Sequence, residues 1–264
     1  MARSETPFGI TGSLDEYSLY RMRGVEKVIV RKKGGPDAKK MKSDKNFVNV
    51  RRNNAEFGAA AKAGAEIRWA IQPVTHVAEP FFSGKINALA TKICRLDETN
   101  EWGERQILIS KHRHLLEGMN LNSKLVFYSV MRQPVPVEFD RDNGYATVHI
   151  PALIPAVNFF VPSQFPLYQF TVSLGVIRDV SFGNEKHELA GNKKYSTEMM
   201  RTDWYPSRSE HEAMEIKLQL NNFTKLEEGQ TMILAMAIDF GNPSTANIAE
   251  RIKYAGSGAV IAMG

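Results

Sequence analysis

The chain has 264 residues, of which 43% are hydrophobic and 24% are charged, the proportions of a globular protein that buries a substantial core as one large or two modest domains. No run approaches the roughly 18 consecutive apolar residues that would cross a bilayer, so we expect no membrane span. The only cysteine, Cys94, excludes an intramolecular disulfide framework and is expected to be a buried thiol. The N-terminus lacks the apolar segment of a secretory signal, which predicts a protein that is cytoplasmic as synthesised and leaves release as an extracellular assembly open.

The positive charge is concentrated in one stretch. Residues 21–52 contain twelve Lys or Arg and three Asp or Glu, so this stretch carries +9 and the rest of the chain carries −4. A charge distribution of this kind can bind phosphates, and it can equally dock the basic part of one copy on the acidic part of another.

The first elements of the chain are predicted to be extended. Residues 1–12 are polar and indicate an arm. Residues 14–22 and the β-branched run 25–30 flank an Arg23-Gly24 turn, and this pattern is typical of a β-hairpin. The basic connector at residues 37–45 contains few apolar residues and has room for one helical turn.

Residues 47–71 have the only long helical pattern, with apolar or small residues at steps of three and four. Ser43 or Asp44 is a suitable N-terminal cap, and Pro73 ends the helix. The middle of this helix is rich in Gly and Ala, so we expect another element to pack closely against it. The occupant is either a second helix, predicted at residues 85–96, or an element of a neighbouring chain.

After a polar linker at residues 97–103 the pattern changes to short apolar or alternating runs with frequent turns. The clearest hairpin signal is Asp142-Asn143-Gly144. The runs are residues 106–110, 124–131, 135–139, 145–150, 167–180, 195–204, 213–220, 232–240 and 258–263. We therefore predict an α+β protein, with a β-hairpin and two helices in residues 1–100 and an antiparallel, immunoglobulin-like β-sandwich in residues 101–264.

Several motifs resemble those of a family of uncharacterised proteins common in Bacteroidota, over nearly the full length. One is a turn at residues 31–35, and another is an L-L-x-G-M-x-L-N run at residues 115–122. A third is a hydrophobic strand ending in Asp239-Phe240. The helix also matches an R-x-N-x-x-E-F-G pattern with Arg52, Asn54, Glu56, Phe57 and Gly58. The resemblance implies this architecture in a bacterial protein and implies no activity. The chain departs from the family at residues 241–254, where a more polar segment replaces an aromatic-rich strand.

The sequence contains no nucleophile elbow, P-loop, H-E-x-x-H or C-x-x-C motif, so we expect no enzyme, no catalytic residue and no cofactor. His112 and His114 are the best metal candidates, with Glu117 or His76 as a third ligand, but the basic KHRH sequence opposes a divalent cation and favours an exposed loop.

Two binding functions are predicted. The leading hypothesis is a non-catalytic structural subunit that assembles with itself into a filament, tube or shell-like array. Its candidate assembly residues are Phe8, Tyr17, Tyr20, Arg51, Arg52, Phe57, Phe159, Phe160 and Phe165. The alternative is binding of nucleic acid or another polyanion, in which aromatic residues stack on bases beside the cations. Its candidate residues are Arg31, Lys32, Lys33, Lys39, Lys40, Lys42 and Lys45.

Overall fold

The computed structural model describes residues 2–4, 11–22, 25–162, 164–191, 195–245 and 248–264. Contacts divide the chain into two units, Met1–Arg51 and Arg52–Gly264. About 25% of the residues are helical and 37% lie in strands, which confirms the α+β class. The boundary near residue 100 stays a prediction about which segment folds by itself.

The first unit contains a four-stranded antiparallel sheet followed by a short helix, α1 (Ala38–Ser43). The strands are β1 (Ala2–Ser4), β2 (Gly12–Leu14), β3 (Tyr17–Tyr20) and β4 (Val28–Lys32), in the order β1-β4-β3-β2. The pairing of Tyr17 with Lys32 and of Tyr20 with Ile29 confirms the predicted hairpin. Its turn at residues 23–24 lies outside the described residues.

Both predicted helices are confirmed, with small shifts of their ends. They are α2 (Val48–Ala70) and α3 (Phe82–Cys94), joined by a 3₁₀ helix at Gln72–Val77. The carboxylate of Asp44 accepts a hydrogen bond from the backbone N–H of Asn46 at 2.9 Å. Asp44 therefore caps the short 3₁₀ turn that leads into α2.

The remaining strands form three further antiparallel sheets. The bounds of these strands, with those of a short helix α4, are α4 (Phe127–Val130), β5 (Val137–Asp140), β6 (Tyr145–Ile150), β7 (Leu167–Arg178), β8 (Val180–Gly183), β9 (Lys186–Leu189), β10 (Glu198–Arg201), β11 (Tyr205–Pro206), β12 (Met214–Gln219), β13 (Gln230–Thr245) and β14 (Ile248–Met263). The largest sheet has the order β10-β7-β13-β14, and β11 also pairs with β7. A three-stranded sheet has the order β12-β6-β5, and β8 pairs with β9.

The second unit has three layers. Alternate large side chains of β7 and β13, such as Leu174 and Leu234, pack with the three-stranded sheet in one hydrophobic core. The opposite face of the same strands packs with α2 and α3 in a second core, which includes Ile177 and Ile233. The immunoglobulin-like sandwich is not confirmed, because helices cover the face of the larger sheet that such a sandwich leaves to solvent.

Two of the short runs have a different structure from the strands predicted. Residues 124–131 contain α4, in which Phe127 and Val130 point into the core at helical spacing. The side-chain oxygen of Asn120 accepts a hydrogen bond from the N–H of Phe127 at 2.8 Å, which favours this turn of helix. Residues 106–110 contribute one bridge, from Ile107 to Val180, and the start of a 3₁₀ helix.

The hairpin predicted at Asp142-Asn143-Gly144 is confirmed as the turn between β5 and β6. Gly144 has a positive φ of 72°. The carboxylate of Asp140 accepts hydrogen bonds from the N–H groups of Asp142 and Asn143 at 3.1 and 3.0 Å. Aspartate at this position therefore satisfies the turn in the way expected for such loops.

Candidate functional site

One face of the N-terminal sheet is largely apolar and partly exposed, with Lys32 opposite Tyr17 at its edge. The cross-strand pairs Leu14–Tyr17 and Leu19–Val30 lie on this face. Leu14 is 68% exposed and Tyr17 is 48% exposed. Among the described residues of Met1–Arg51, Val28 and Ile29 are the buried hydrophobic residues. The described part of this unit therefore has little core of its own and leaves apolar surface in solvent. Phe8, the first assembly candidate, lies outside the described residues.

The opposite face of the same sheet carries an aromatic residue next to a cation. The guanidinium carbon of Arg31 lies 5.9 Å from the ring centroid of Tyr20. Arg31 pairs across the strands with Ser18, two residues before Tyr20, so both side chains lie on one face. This is cation–π distance, and the arrangement leaves the charge of Arg31 at an exposed position.

The seven cations of the predicted polyanion site are all exposed. The Lys32 ammonium pairs with the Glu16 carboxylate at 2.9 Å. The Lys33 ammonium donates to the carbonyl oxygen of Asp15 at 2.8 Å, a bond that does not neutralise its charge. Within the described part of the chain, no carboxylate pairs with the remaining five, which are Arg31, Lys39, Lys40, Lys42 and Lys45.

Arg51 and Arg52, both predicted as assembly residues, make contacts within their own chain. The Arg51 guanidinium donates to the carbonyl oxygens of Met41 and Asp44, each at 2.9 Å, and so binds the C-terminal end of α1. A cation at this end of a helix is favoured by the helix dipole. The Arg52 guanidinium lies 3.6 Å from a carboxylate oxygen of Glu101 and 5.9 Å from the Trp102 ring.

Part of the solvent face of α2 is apolar, beside the exposed polar residues Asn54 and Lys62. Phe57 is 67% exposed and Trp69 is 50% exposed. Ala61 and Ala65 lie between them at steps of four residues, so the four side chains form one ridge along the helix. The exposed Gly58 borders this ridge, and a Cβ atom built on it would meet no other atom within 4 Å.

The small residues on the other side of α2 are explained by packing against other elements of the same chain. A Cβ atom on Gly64 would overlap the side-chain oxygen of Asn87 on α3, which confirms that α3 occupies this end of the helix. Ala59, Ala60 and Ala63 are buried in the helix–sheet core. Gly58 has no comparable neighbour, so packing within the described chain does not account for it.

A proline-rich segment at residues 151–168 contains three of the assembly candidates, and these contact other residues of the same chain. Phe159 is buried, with its ring centroid 4.6 Å from that of Tyr168. The Phe165 ring stacks on Phe240 at 4.8 Å. The Arg132 guanidinium lies 3.6 Å from the centroid of the half-buried Phe160. These aromatic residues attach the segment to the rest of the second unit.

His112 lies between two successive 3₁₀ turns and His114 lies in the second of them, so neither is on a strand, and their ring centroids are 6.2 Å apart. Among the described residues, no group of three or more His, Cys, Asp or Glu side chains has a metal-binding arrangement. The structure therefore does not bring Glu117 or His76 to this pair as a third ligand.

Buried polar side chains connect elements that are far apart in the sequence. Asp239 on β13 and Thr171 on β7 expose no surface, and the Thr171 hydroxyl donates to the Asp239 carboxylate at 2.8 Å. The other Asp239 oxygen contacts Nε2 of His76. Since neither Asp239 nor Thr171 reaches solvent, this set binds the 3₁₀ segment to the sheet.

Two further carboxylates are buried at the edge of the helix layer. Glu66 on α2 forms a bidentate pair with the Arg178 guanidinium at 2.7 and 3.0 Å. Asp179 accepts a hydrogen bond from the Ser110 N–H at 2.9 Å, and burial nevertheless raises the pKa of its carboxyl group. Sequence reasoning did not find these residues, because each partner lies far along the chain.

No helix among the described residues is long and apolar enough to span a membrane. No protein-family model, curated protein or solved structure matches this chain.

Proposed function

We propose that this protein is a non-catalytic structural subunit that assembles with copies of itself into a filament, tube or shell-like array. The observation that carries the proposal is the apolar ridge on the solvent face of α2. A helix of a globular protein normally presents charged or polar residues to water. Here the ridge consists of the exposed Phe57, Ala65 and Trp69 with the half-buried Ala61, and the exposed Lys62 lies beside it.

The spacing of this ridge is self-complementary. If two copies of α2 pack antiparallel about a two-fold axis through the middle of the ridge, Phe57 of each copy faces Trp69 of the other. Ala61 then faces Ala65, and these small side chains permit close approach of the two helices. Such an isologous contact uses the same patch on both subunits. Gly58, which costs about 1 kcal/mol relative to alanine in a helix, would lie in this contact.

The apolar surface continues beyond the helix. The Thr197 hydroxyl donates to the carbonyl oxygen of Trp69 at 2.9 Å, so the start of β10 lies next to the end of α2. Met199 on β10 is exposed and pairs with Ser173, on the helix-covered face of the sheet. A patch that includes two aromatic residues and a methionine has the composition of interface hot spots.

An open array needs a second interface, because one isologous contact closes a dimer. The exposed apolar face of β2 and β3, with Leu14 and Tyr17, supports a second contact. A second candidate for this contact is the end of the β13–β14 hairpin, which extends beyond the rest of its sheet. Pairing of β13 with β7 stops at Gly241, while pairing with β14 continues to Thr245. A two-stranded ribbon is marginally stable alone and is stabilised by contact with other chains.

The experiment is sedimentation velocity and negative-stain electron microscopy of the purified full chain over a range of protein and salt concentrations. We expect concentration-dependent species larger than a monomer, with a repeating arrangement in micrographs. A monodisperse monomer at high protein concentration and at every salt concentration would contradict the proposal.

The double variant Phe57→Gln, Trp69→Gln tests the α2 face. Loss of two aromatic anchors should raise the dissociation constant of self-association by about 30-fold or more, since hot spots contribute about 2 kcal/mol or more. Tyr145→Gln is the matched control, because Tyr145 is also an exposed aromatic residue but lies on β6. Equal assembly of wild type and double variant would show that another surface is used.

A further inference from the structure

We propose that the N-terminal unit carries a binding site for single-stranded nucleic acid, formed by Arg31 beside the ring of Tyr20 on the sheet and by Lys39, Lys40, Lys42 and Lys45 on and directly after α1. This activity is independent of self-assembly through α2. The first observation in support of this site is the charge of residues 31–45. They contain seven Lys or Arg and two Asp, so their net charge of +5 equals that of the whole chain.

The acidic residues of this segment do little to neutralise it. A carboxylate oxygen of Asp44 accepts the N–H of Asn46, and Asp37 precedes α1 without a capping hydrogen bond from its side chain. Five of the seven cations have no carboxylate partner among the described residues. Concentrated, uncompensated positive charge attracts a polyanion and accelerates its association.

Three of the lysines lie on α1, and Lys45 lies in the 3₁₀ turn that follows it. α1 buries none of its residues, so its lysine side chains all extend into solvent. Lys39 and Lys42 are three residues apart in the helix, and like charges at this spacing destabilise a helix by about 0.2–0.5 kcal/mol. The Arg51 bonds to the carbonyl oxygens of Met41 and Asp44 fix the end of this helix. A bound phosphate chain would relieve the repulsion between the lysines.

The sheet geometry favours single strands over duplex DNA. A two-stranded ribbon fits a major groove about 12 Å wide. β3, however, is paired on both sides, with β2 and with β4, within a four-stranded sheet. Four strands spaced about 4.8 Å apart, with their side chains, are wider than that groove. α1, with six residues, is also too short to read a groove as a recognition helix does.

The aromatic residue distinguishes nucleic acid from other phosphate polymers. Arg31 and Tyr20 lie on the same face at 5.9 Å. Single-strand binding proteins combine cations along the backbone with aromatic rings on which bases stack. Inorganic polyphosphate shares the charge and has no base, so stacking on Tyr20 would strengthen binding of an oligonucleotide alone.

The test is fluorescence anisotropy of a labelled oligo(dT) 25-mer with the full chain, at protein concentrations below those of self-assembly and at 50–200 mM KCl. Five phosphate contacts predict a slope of about −3.5 in log K against log salt for a single strand. The triple variant Lys39→Gln, Lys40→Gln, Lys42→Gln should make this slope shallower by about 2 and weaken binding about tenfold or more.

The control variant Lys92→Gln, Lys124→Gln, Lys225→Gln removes the same charge from exposed positions of the second unit and should bind like wild type. Tyr20→Leu should weaken oligo(dT) binding about fivefold or more and leave binding of polyphosphate unchanged. The proposal is overturned if wild type does not bind oligo(dT) at 50 mM salt, if the two triple variants lose affinity equally, or if Tyr20→Leu affects both polymers alike.

Discussion

Ala70 on α2 lies so close to Gly175 on β7 that a Cβ atom on Gly175 would be 2.6 Å from the carbonyl oxygen of Ala70 and 2.8 Å from its Cα atom. The helix layer approaches the sheet this closely because one strand lacks a side chain at the point of contact. We expect Gly175→Ala to lower the free energy of unfolding by about 2–3 kcal/mol, since backbone atoms must move apart.

Urea unfolding followed by far-UV circular dichroism measures this effect. Gly58→Ala on the same helix is the control with open space around the new methyl group. In protein kept at a monomeric concentration it should raise the free energy of unfolding by about 1 kcal/mol, because alanine is the better helix former. Similar effects of the two substitutions would contradict the close approach at Gly175.

The Glu66–Arg178 pair provides a test of buried electrostatics. Both side chains are largely buried and the contact is bidentate. Arg178→Met should lower the free energy of unfolding by about 3 kcal/mol or more, because the Glu66 carboxylate remains buried without its guanidinium partner. The double variant Glu66→Leu, Arg178→Met should recover much of that loss. A double variant as unstable as the sum of the single variants would exclude coupling between the two residues.

Asp179 should make stability depend on pH. Burial raises the pKa of its carboxyl group above the ordinary value near 4, so the folded state binds the proton more tightly than the unfolded chain does. The resulting stabilisation is fully present below the unfolded pKa and is lost as pH rises through the folded pKa. Relative to Asp179→Asn, wild type should therefore be more stable at pH 4 than at pH 7.

Thermal unfolding of both proteins between pH 4 and pH 7 gives this difference directly. The amide retains an acceptor for the Ser110 N–H, so the variant keeps the hydrogen bond seen at 2.9 Å. A stability difference that is constant with pH, or that grows in favour of wild type toward pH 7, would contradict a raised pKa.

Cys94 should be unreactive in the folded protein. It is buried on α3, and burial raises the pKa of its thiol to about 11. Since the thiolate is the reactive form, Ellman's reagent at pH 8 should modify Cys94 slowly in buffer and rapidly in 6 M guanidinium chloride. Rapid modification in buffer would show that this part of the helix layer opens readily.

Charge placed in the middle of the α2 ridge should prevent assembly without unfolding the subunit. Ala65 is exposed, so Ala65→Glu should leave the circular dichroism spectrum unchanged while sedimentation shows monomers. Ala88→Glu, on the exposed side of α3, changes the charge equally and should assemble like wild type. Assembly of the Ala65→Glu protein would place the interface elsewhere.

The local sequence pattern was sufficient to predict the two long helices and most of the strands. The periodicity of α2 predicted its ends to within one residue. Ser43 and Asp44 were both suitable caps by position, and Asp44 caps the 3₁₀ turn that leads into α2. The short apolar run around Phe127 was misassigned, because a run of this length fits a strand and a buried turn of helix equally well.

The layering could not be predicted in the same way. It depends on which faces meet, and Ala70 and Gly175 are more than 100 residues apart. One signal was present, since β7 alternates large Val172 and Leu174 with small Ser173 and Gly175, a pattern suited to a helix on the second face. On α2, the sequence analysis selected Phe57 as an assembly residue but did not select Trp69. Trp69 follows Phe57 by twelve residues, which is three steps of four, so the sequence alone places both on one ridge of the helix.

The three layers have a consequence for folding during synthesis. α2 and the 3₁₀ segment leave the ribosome long before the strands that cover them, since Ala70 packs on Gly175 and Val77 packs on Gly256 and Gly258. Contacts this distant in sequence slow folding, because a long loop must close before any contact forms. The apolar surface that packs on β14, such as that of Val77, therefore stays exposed until β14 has emerged, and during that interval the nascent chain should depend on chaperones that shield hydrophobic surface.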